Sequence, residues 1–151
     1  MTKISIVTPT YNEEENIQKL CDEIKNEMEK IGLDYEHIII DNASKDNTIK
    51  ILKEICKNNK KVKIIVNSKN YGHIRSPYYG ILQSTGDACI LMASDFQDPI
   101  NLITKYVDKW KNGTKIVLGE KITSDENSLT FFLRKSYYKL LNKISENKLS
   151  Q

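Results

Sequence analysis

The 151-residue chain carries 23 basic and 20 acidic side chains, a net charge of +3. Apolar residues make up 39% and charged residues 28%, which excludes a disordered chain, and so small a net charge gives no reason to expect a nucleic-acid partner. The longest clean apolar run, Ala88 to Ala93, is far below the ~18 residues that a membrane-spanning helix needs.

Strand and helix patterns alternate along the chain. Ile4 to Thr8 reads as a buried strand stopped by Pro9. From Glu13 to Lys30, Ile17, Leu20, Cys21, Ile24 and Met28 recur at helical spacing, with Glu13, Glu14 and Glu15 placed in the first turn to suit the helix dipole. Tyr35 to Ile40 is the next strand, Asp46 to Lys57 the next helix and Val62 to Val66 the third strand. Ser76-Pro77 suits a helix start, because proline in a first turn loses no hydrogen bond. Cys89 to Ala93 follows as a strand. Asp98-Pro99 then reads as N-cap and first residue of a helix reaching about Trp110. Ile116 to Leu118 is expected as a fifth strand, and Leu129 to Ile144 as a final helix. This alternation predicts an α/β fold: a mostly parallel sheet covered by helices on both faces, in a single domain spanning 1–151.

Three well-separated cysteines (Cys21, Cys56, Cys89) suggest neither a disulfide framework nor a zinc site, and they fall on apolar faces expected to be core. With no secretory signal before Ile4, the expected compartment is the reducing cytoplasm. The six glycines form neither a G-x-G-x-x-G nor a G-x-x-x-x-G-K-[ST] arrangement, so the two standard glycine cradles for phosphate are excluded.

Functional residues of a parallel sheet gather at the carboxyl ends of its strands. Those ends carry Thr8 to Glu13, Asp41 to Asp46, Asn70 to Arg75 and Ser94 to Pro99. A ring (Tyr11), carboxylates (Asp41, Asp95), amides and Arg75 together suit a nucleotide. The ring stacks on a base, an aspartate accepts from a base N–H, and the guanidinium fork matches phosphate. In the absence of a glycine cradle, a hard divalent cation held by Asp95 and Gln97 would neutralise a diphosphate, taking its other ligands from phosphate and water. Asp41 with Ser44 and Asp46 reads equally well as a turn and helix cap. His73 reads as a surface or hydrogen-bonding residue rather than a catalyst.

Ser5-Ile6-Val7-Thr8-Pro9-Thr10-Tyr11-Asn12-Glu13, Ile38-Ile39-Ile40-Asp41-Asn42-Ala43-Ser44-Lys45-Asp46-Asn47-Thr48 and Leu91-Met92-Ala93-Ser94-Asp95-Phe96-Gln97-Asp98-Pro99 resemble family 2 glycosyltransferases of the GT-A fold. The Asp-Phe-Gln-Asp-Pro ending is most similar to the polyprenyl-phosphate branch, which includes dolichol-phosphate mannosyltransferase and undecaprenyl-phosphate glycosyltransferases. The resemblance implies a Rossmann-like GT-A fold and inverting, metal-assisted transfer (Mg2+ or Mn2+) of a sugar from a UDP- or GDP-linked donor. The acceptor would be a polyprenyl phosphate or a cell-surface polysaccharide precursor.

It places Pro9, Tyr11, Glu13 and Asp41 around base and ribose, and Ser94 and Asp95 at the donor. Asp95 stands at the last acid of the family's D-x-D motif, with Gln97 at a further metal-site position. Lys121 stands where the branch often has an arginine near phosphate, and Arg134 near a second phosphate-binding position, here that of the acceptor. Ala93 replaces the first D-x-D acid, and Asn42-Ala43 replaces the usual Asp-Gly. Family members normally continue into an acceptor half beyond the point where this chain stops. The alternative function is therefore a catalytically incomplete nucleotide-sugar-binding module.

Phe131 to Gln151 holds five basic residues and one acid around an apolar stripe of Leu133, Tyr137, Leu140, Leu141 and Ile144. Three readings stand: a helix packed on the sheet, a helix on the inner membrane surface near a lipid acceptor, or a contact for further sequence or a second copy of the chain.

Overall fold

The computed structural model describes residues 2–119 and Tyr137. By its internal contacts the chain divides into Met1–Val117 and Leu118–Gln151. Within the first unit the elements run β1 (Lys3–Thr10), α1 (Ile17–Ile31), β2 (Asp34–Asp41), α2 (Thr48–Asn58), β3 (Val62–Val66), α3 (Gly72–Leu82), β4 (Ala88–Leu91) and α4 (Leu102–Lys111).

Among the described residues the sheet has order β3-β2-β1-β4, with every neighbouring pair parallel. β1 and β2 are central and buried on both faces, which is why Ile4 to Val7 and Ile38 to Ile40 read as near-continuous apolar runs. Ile4, Ile6 and Ile39 pack with Ile17, Leu20, Ile24 and Met28 of α1, Leu52 of α2, and Ile103 and Val107 of α4 in one core. Alternation turns Val7 and Ile40 to the opposite face, where α3 lies against them. The expected parallel sheet with helices on both faces is thus present.

α1 ends at Gly32, whose φ of 70° is left-handed and whose N–H donates to the Met28 carbonyl at 3.0 Å. Its start lies later than helical spacing suggests. Glu13 to Asn16 form a turn before Ile17, with Ile17 N donating to the Glu13 carbonyl at 2.9 Å, so the three glutamates precede the helix.

Several other expectations need correction. Ser76-Pro77 does not open α3: the helix starts at Gly72 and Pro77 lies inside it. The Asn42 and Asn70 side chains take up the amides of Tyr71 and Gly72, so the chain turns helical before Pro77 is reached. α4 starts at Leu102 after Asn101, not at Asp98-Pro99, which belong to the bend after β4. Ile116 to Leu118 is not a strand: it pairs with no described strand, and Ile116 and Leu118 are 78% and 86% exposed. Cys21 is buried as expected, with its thiol pushed up to about 12 by burial, but Cys89 is exposed on β4. Of the expected helix 129–144 only Tyr137 is described, and it is helical. No helix among the described residues is long and apolar enough to cross a membrane.

A polar pair and a polar cluster sit inside this fold. His37 is buried beside Thr8, Nε2 to Oγ1 at 2.9 Å, and burial lowers its pKa to about 3. Glu36, on the α3 side, accepts from Ser5 Oγ (2.7 Å), Lys63 Nζ (2.6 Å) and Thr85 N (2.7 Å). Burial alone would raise the pKa of that carboxyl. The lysine, serine and threonine bonds outweigh it and hold the group well below the carboxylate range.

Candidate functional site

The strand order turns back between β1 and β4, and there the carboxyl ends diverge to leave a crevice. A cleft of about 420 Å³ occupies this place. Pro9, Thr10, Tyr11 and Glu13 line it from β1, and Ala93, Ser94 and Asp95 from the segment after β4. Asn42 contributes from just after β2, and Asn70, Gly72, His73, Ser76 and Pro77 from the approach to α3 and its first turns. A hollow of about 660 Å³ along α2 is larger but is bordered by Lys50, Lys53 and Lys57 and touches neither β1 nor β4.

The β1 wall is built by two loops tied to each other. Asn12 N donates to Ser44 Oγ (2.8 Å), Glu13 N to Thr48 Oγ1 (2.8 Å) and Glu14 N to Asp46 Oδ2 (3.2 Å). In return, Lys45 N donates to Asn12 Oδ1 (2.8 Å) and Asn47 N to Glu14 Oε2 (2.9 Å). Asn12 and Ala43 both take left-handed backbone (φ 56° and 66°), which lets the loops turn back toward one another. Tyr11 is left 42% exposed at the cleft. Thr10 Oγ1, by contrast, is buried and has no hydrogen-bond partner among the described residues.

The structure brings together Pro9, Tyr11, Glu13, Ser94 and Asp95. It does not place Asp41 or Arg75 in the lining of the same cleft. Asp41 is fully buried, and its carboxylate accepts from Ser44 N at 2.9 Å and from Ser44 Oγ, the turn-and-cap arrangement. Arg75 points from α3 to a separate hollow of about 550 Å³ with Ser68, Tyr71 and Tyr79. Lys121 and Arg134 lie outside the described residues.

The β4 wall is a tight bend. Phe96 has φ 58°, uncommon for so bulky a side chain; its ring packs against the core, with Lys19 Nζ 5.0 Å from the ring centroid. Asp95 is exposed, and its Oδ1 accepts from Gln97 N at 3.1 Å. Gln97 is also exposed but does not line the cleft. Among the described residues no group of three or more His, Cys, Asp or Glu is placed to hold a metal. With Ala93 in the place of an acid, Asp95 fits only a hard cation that draws most of its ligands from phosphate and water.

Asn42, which the sequence offers only as a replacement for the family's acid, has a bridging role that the sequence does not show. Its Oδ1 accepts from Tyr71 N (2.9 Å) and Asn67 Nδ2 (3.2 Å), while its Nδ2 donates to Asn70 Oδ1 (2.9 Å) and the Gly72 carbonyl (3.3 Å). It joins the end of β2 to the segment that opens α3. The available signal was Asn70-Tyr71-Gly72 after β3, a turn sequence in need of an outside partner.

The sequence profile described as glycosyl transferase family 2 matches residues 5–150. An uncharacterised glycosyltransferase of Synechocystis is 34% identical over 148 residues, covering 97% of this chain and 46% of that protein. The bactoprenol glucosyl transferase of Shigella phage SfX is 33% identical over 152 residues, covering 99% of this chain and 49% of that protein. The chain thus spans about half the length of these curated relatives.

Among solved structures, Staphylococcus aureus TarS 1-349 in complex with UDP-GlcNAc superposes with a TM-score of 0.61 at 20% identity, covering 82% of this chain and 37% of that one. The mannosyltransferase PcManGT of Pyrobaculum calidifontis, in complex with GDP-Man and Mn2+, gives 0.58 at 20% identity, covering 69% and 31%. These likenesses establish the GT-A fold. With the profile match running over nearly its whole length, the chain belongs to glycosyl transferase family 2.

Proposed function

We propose that this chain carries the donor site of a glycosyltransferase, which moves a sugar with inversion from a UDP- or GDP-linked donor to an acceptor. The observation that supports this most is the convergence of Pro9, Tyr11, Glu13, Ser94 and Asp95 on one cleft at the turn-back point of the sheet. In this reading Tyr11 stacks on the base, Glu13 and Pro9 border the nucleoside, and Ser94 and Asp95 face the diphosphate. The donors bound by TarS and PcManGT, UDP-GlcNAc and GDP-Man, are of this class.

Asp95, assisted by Gln97, would hold a magnesium or manganese ion, which when bound offsets charge on the leaving diphosphate. An acceptor oxygen attacks the anomeric carbon as the bond to the diphosphate breaks, and the nucleoside diphosphate leaves. A lipid-linked phosphate fits as acceptor, because its oxygen is ionised near neutral pH and needs no general base from the protein. The bactoprenol relatives point the same way. Arg134 and Lys121 are the candidate phosphate partners, and the stretch around them is the candidate for contact with the inner membrane surface or a second copy.

Titration calorimetry with UDP, GDP and their sugars, with and without manganese, tests the reading. Metal-dependent binding is expected, weakened about tenfold or more by Asp95→Ala, a loss of ~1.4 kcal/mol. Binding that is absent, or indifferent to both metal and Asp95, would overturn it. A second reading, a module that binds nucleotide sugar without transferring it, is favoured by Ala93 in the cleft lining where the family's first acid would stand. Turnover of radiolabelled donor by this chain would exclude it.

A further inference from the structure

α3 is built the opposite way from an ordinary surface helix. Its small residues Ser76, Pro77 and Gly80 face the sheet and are buried. Its large apolar residues face solvent: Ile74 is 72% exposed, Tyr78 61%, Tyr79 49% and Leu82 60%. At 100° per residue these four, together with Tyr71 just before the helix and Arg75 within it, fall on one side opposite the buried three. The close seat of the helix explains the inversion. A Cβ at Gly80 would lie 2.8 Å from Val7 Cγ1, so only small residues fit beneath and the bulky ones are left outside. A contiguous exposed apolar face of this kind marks a docking surface.

Charge decides what docks there. From Ile55 to Gly86 the sequence has six lysines and arginines and no aspartate or glutamate. Lys57, Lys61 and Lys63 are paired with acids from elsewhere, Glu54, Asp34 and Glu36. Lys69 and Arg75, the two at the apolar face, have no carboxylate partner among the described residues, and Lys69 lies 5.3 Å above the Tyr71 ring. A second copy meeting this face by two-fold symmetry would set these cations against one another. A surface that is anionic outside and apolar within complements them, and tyrosines favour that boundary. We propose that the outer face of α3 docks the protein onto an anionic lipid bilayer. Since Gly72, His73, Ser76 and Pro77 of the same helix line the cleft, docking sets one rim of the cleft at the membrane surface. The proposal does not depend on the acceptor being a lipid.

The test is co-sedimentation of the full chain with vesicles of phosphatidylcholine alone and of phosphatidylcholine mixed with phosphatidylglycerol. Binding to the mixed vesicles is expected, weakening with salt and with Lys69→Glu. The triple variant Ile74→Ser, Tyr78→Ser, Leu82→Ser should lose about tenfold or more in vesicle binding while its melting temperature and nucleotide binding stay unchanged, since none of the three is in the core or the cleft. Absence of vesicle binding by the parent chain overturns the proposal. So does binding that the triple variant retains, which would put the contact elsewhere in the chain. Sedimentation of a lipid-free dimer that the triple variant abolishes, with no vesicle binding, would assign the face to a second copy instead.

Discussion

Asn42 illustrates how much one amide can hold. Each of its polar atoms is engaged twice, and all four bonds reach the one segment from Asn67 to Gly72 that leads into α3. Asn42→Ala would strand the Tyr71 amide and remove the anchor of the segment that lines one side of the cleft. A loss of about 2–3 kcal/mol in urea unfolding is expected, with weaker nucleotide binding alongside. Asn42→Asp should be no better, because a carboxylate oxygen would then face the Asn70 and Gly72 oxygens that the amide now supplies with protons. An acid at this position would therefore lack both the Asn70 and the Gly72 bonds that hold the segment. Asp41 next to it is the contrasting case. Its two oxygens both accept from Ser44, which fixes the loop that presents Asn12 and Glu13.

Among the elements, α3 sets the depth of the α3–sheet contact. Gly80→Ala would push a methyl group to 2.8 Å from Val7 Cγ1 and 3.3 Å from Ile40 Cγ2, both on strands that cannot retreat. A destabilisation of about 1–3 kcal/mol is expected, measurable as a lower unfolding midpoint. This helix is also where the sequence was hardest to read. The strands β1 to β4 and helices α1, α2 and α4 declare themselves by apolar spacing, because their large side chains point inward. α3 hides its small residues and shows its large ones, so periodicity misleads and Pro77 falls where a start was expected. Helix starts were missed for a related reason. At Glu13 to Asn16 and at Asp98 to Asn101, long-range side-chain bonds or a bend decide the onset, and neither is visible in a local window. The cleft was legible as four strand ends. That Arg75 belongs to a neighbouring hollow depends on which side of α3 it occupies, which spacing alone did not establish.

For the molecule as a whole, His37 and Glu36 set the response to acid. Below about pH 6.5 the unfolded chain takes up a proton at the His37 ring, whereas the folded protein resists until about pH 3. The unfolded state thus binds more protons across that interval, and stability falls as pH falls, by up to about 1.4 kcal/mol per pH unit. Glu36 adds to this below about pH 4.3, because its folded pKa is depressed and the stability it confers is lost on acidification. Urea midpoints measured from pH 7.5 to 5 should decline, and His37→Gln, which keeps a partner for Thr8, should flatten the decline. The two walls of the cleft differ in a way that bears on binding. The β1 wall has its backbone amides answered by side chains of the β2 loop, one after another. The β4 bend has the lone Gln97-to-Asp95 bond among the described residues between Ala93 and Asp98. In the proposed donor site, a nucleotide would meet the first wall with its backbone already tied in place, so its binding would need little further ordering of the chain. On the same proposal, the second wall, where the backbone has fewer ties to break, would be the part that shifts when the diphosphate end of a donor is bound.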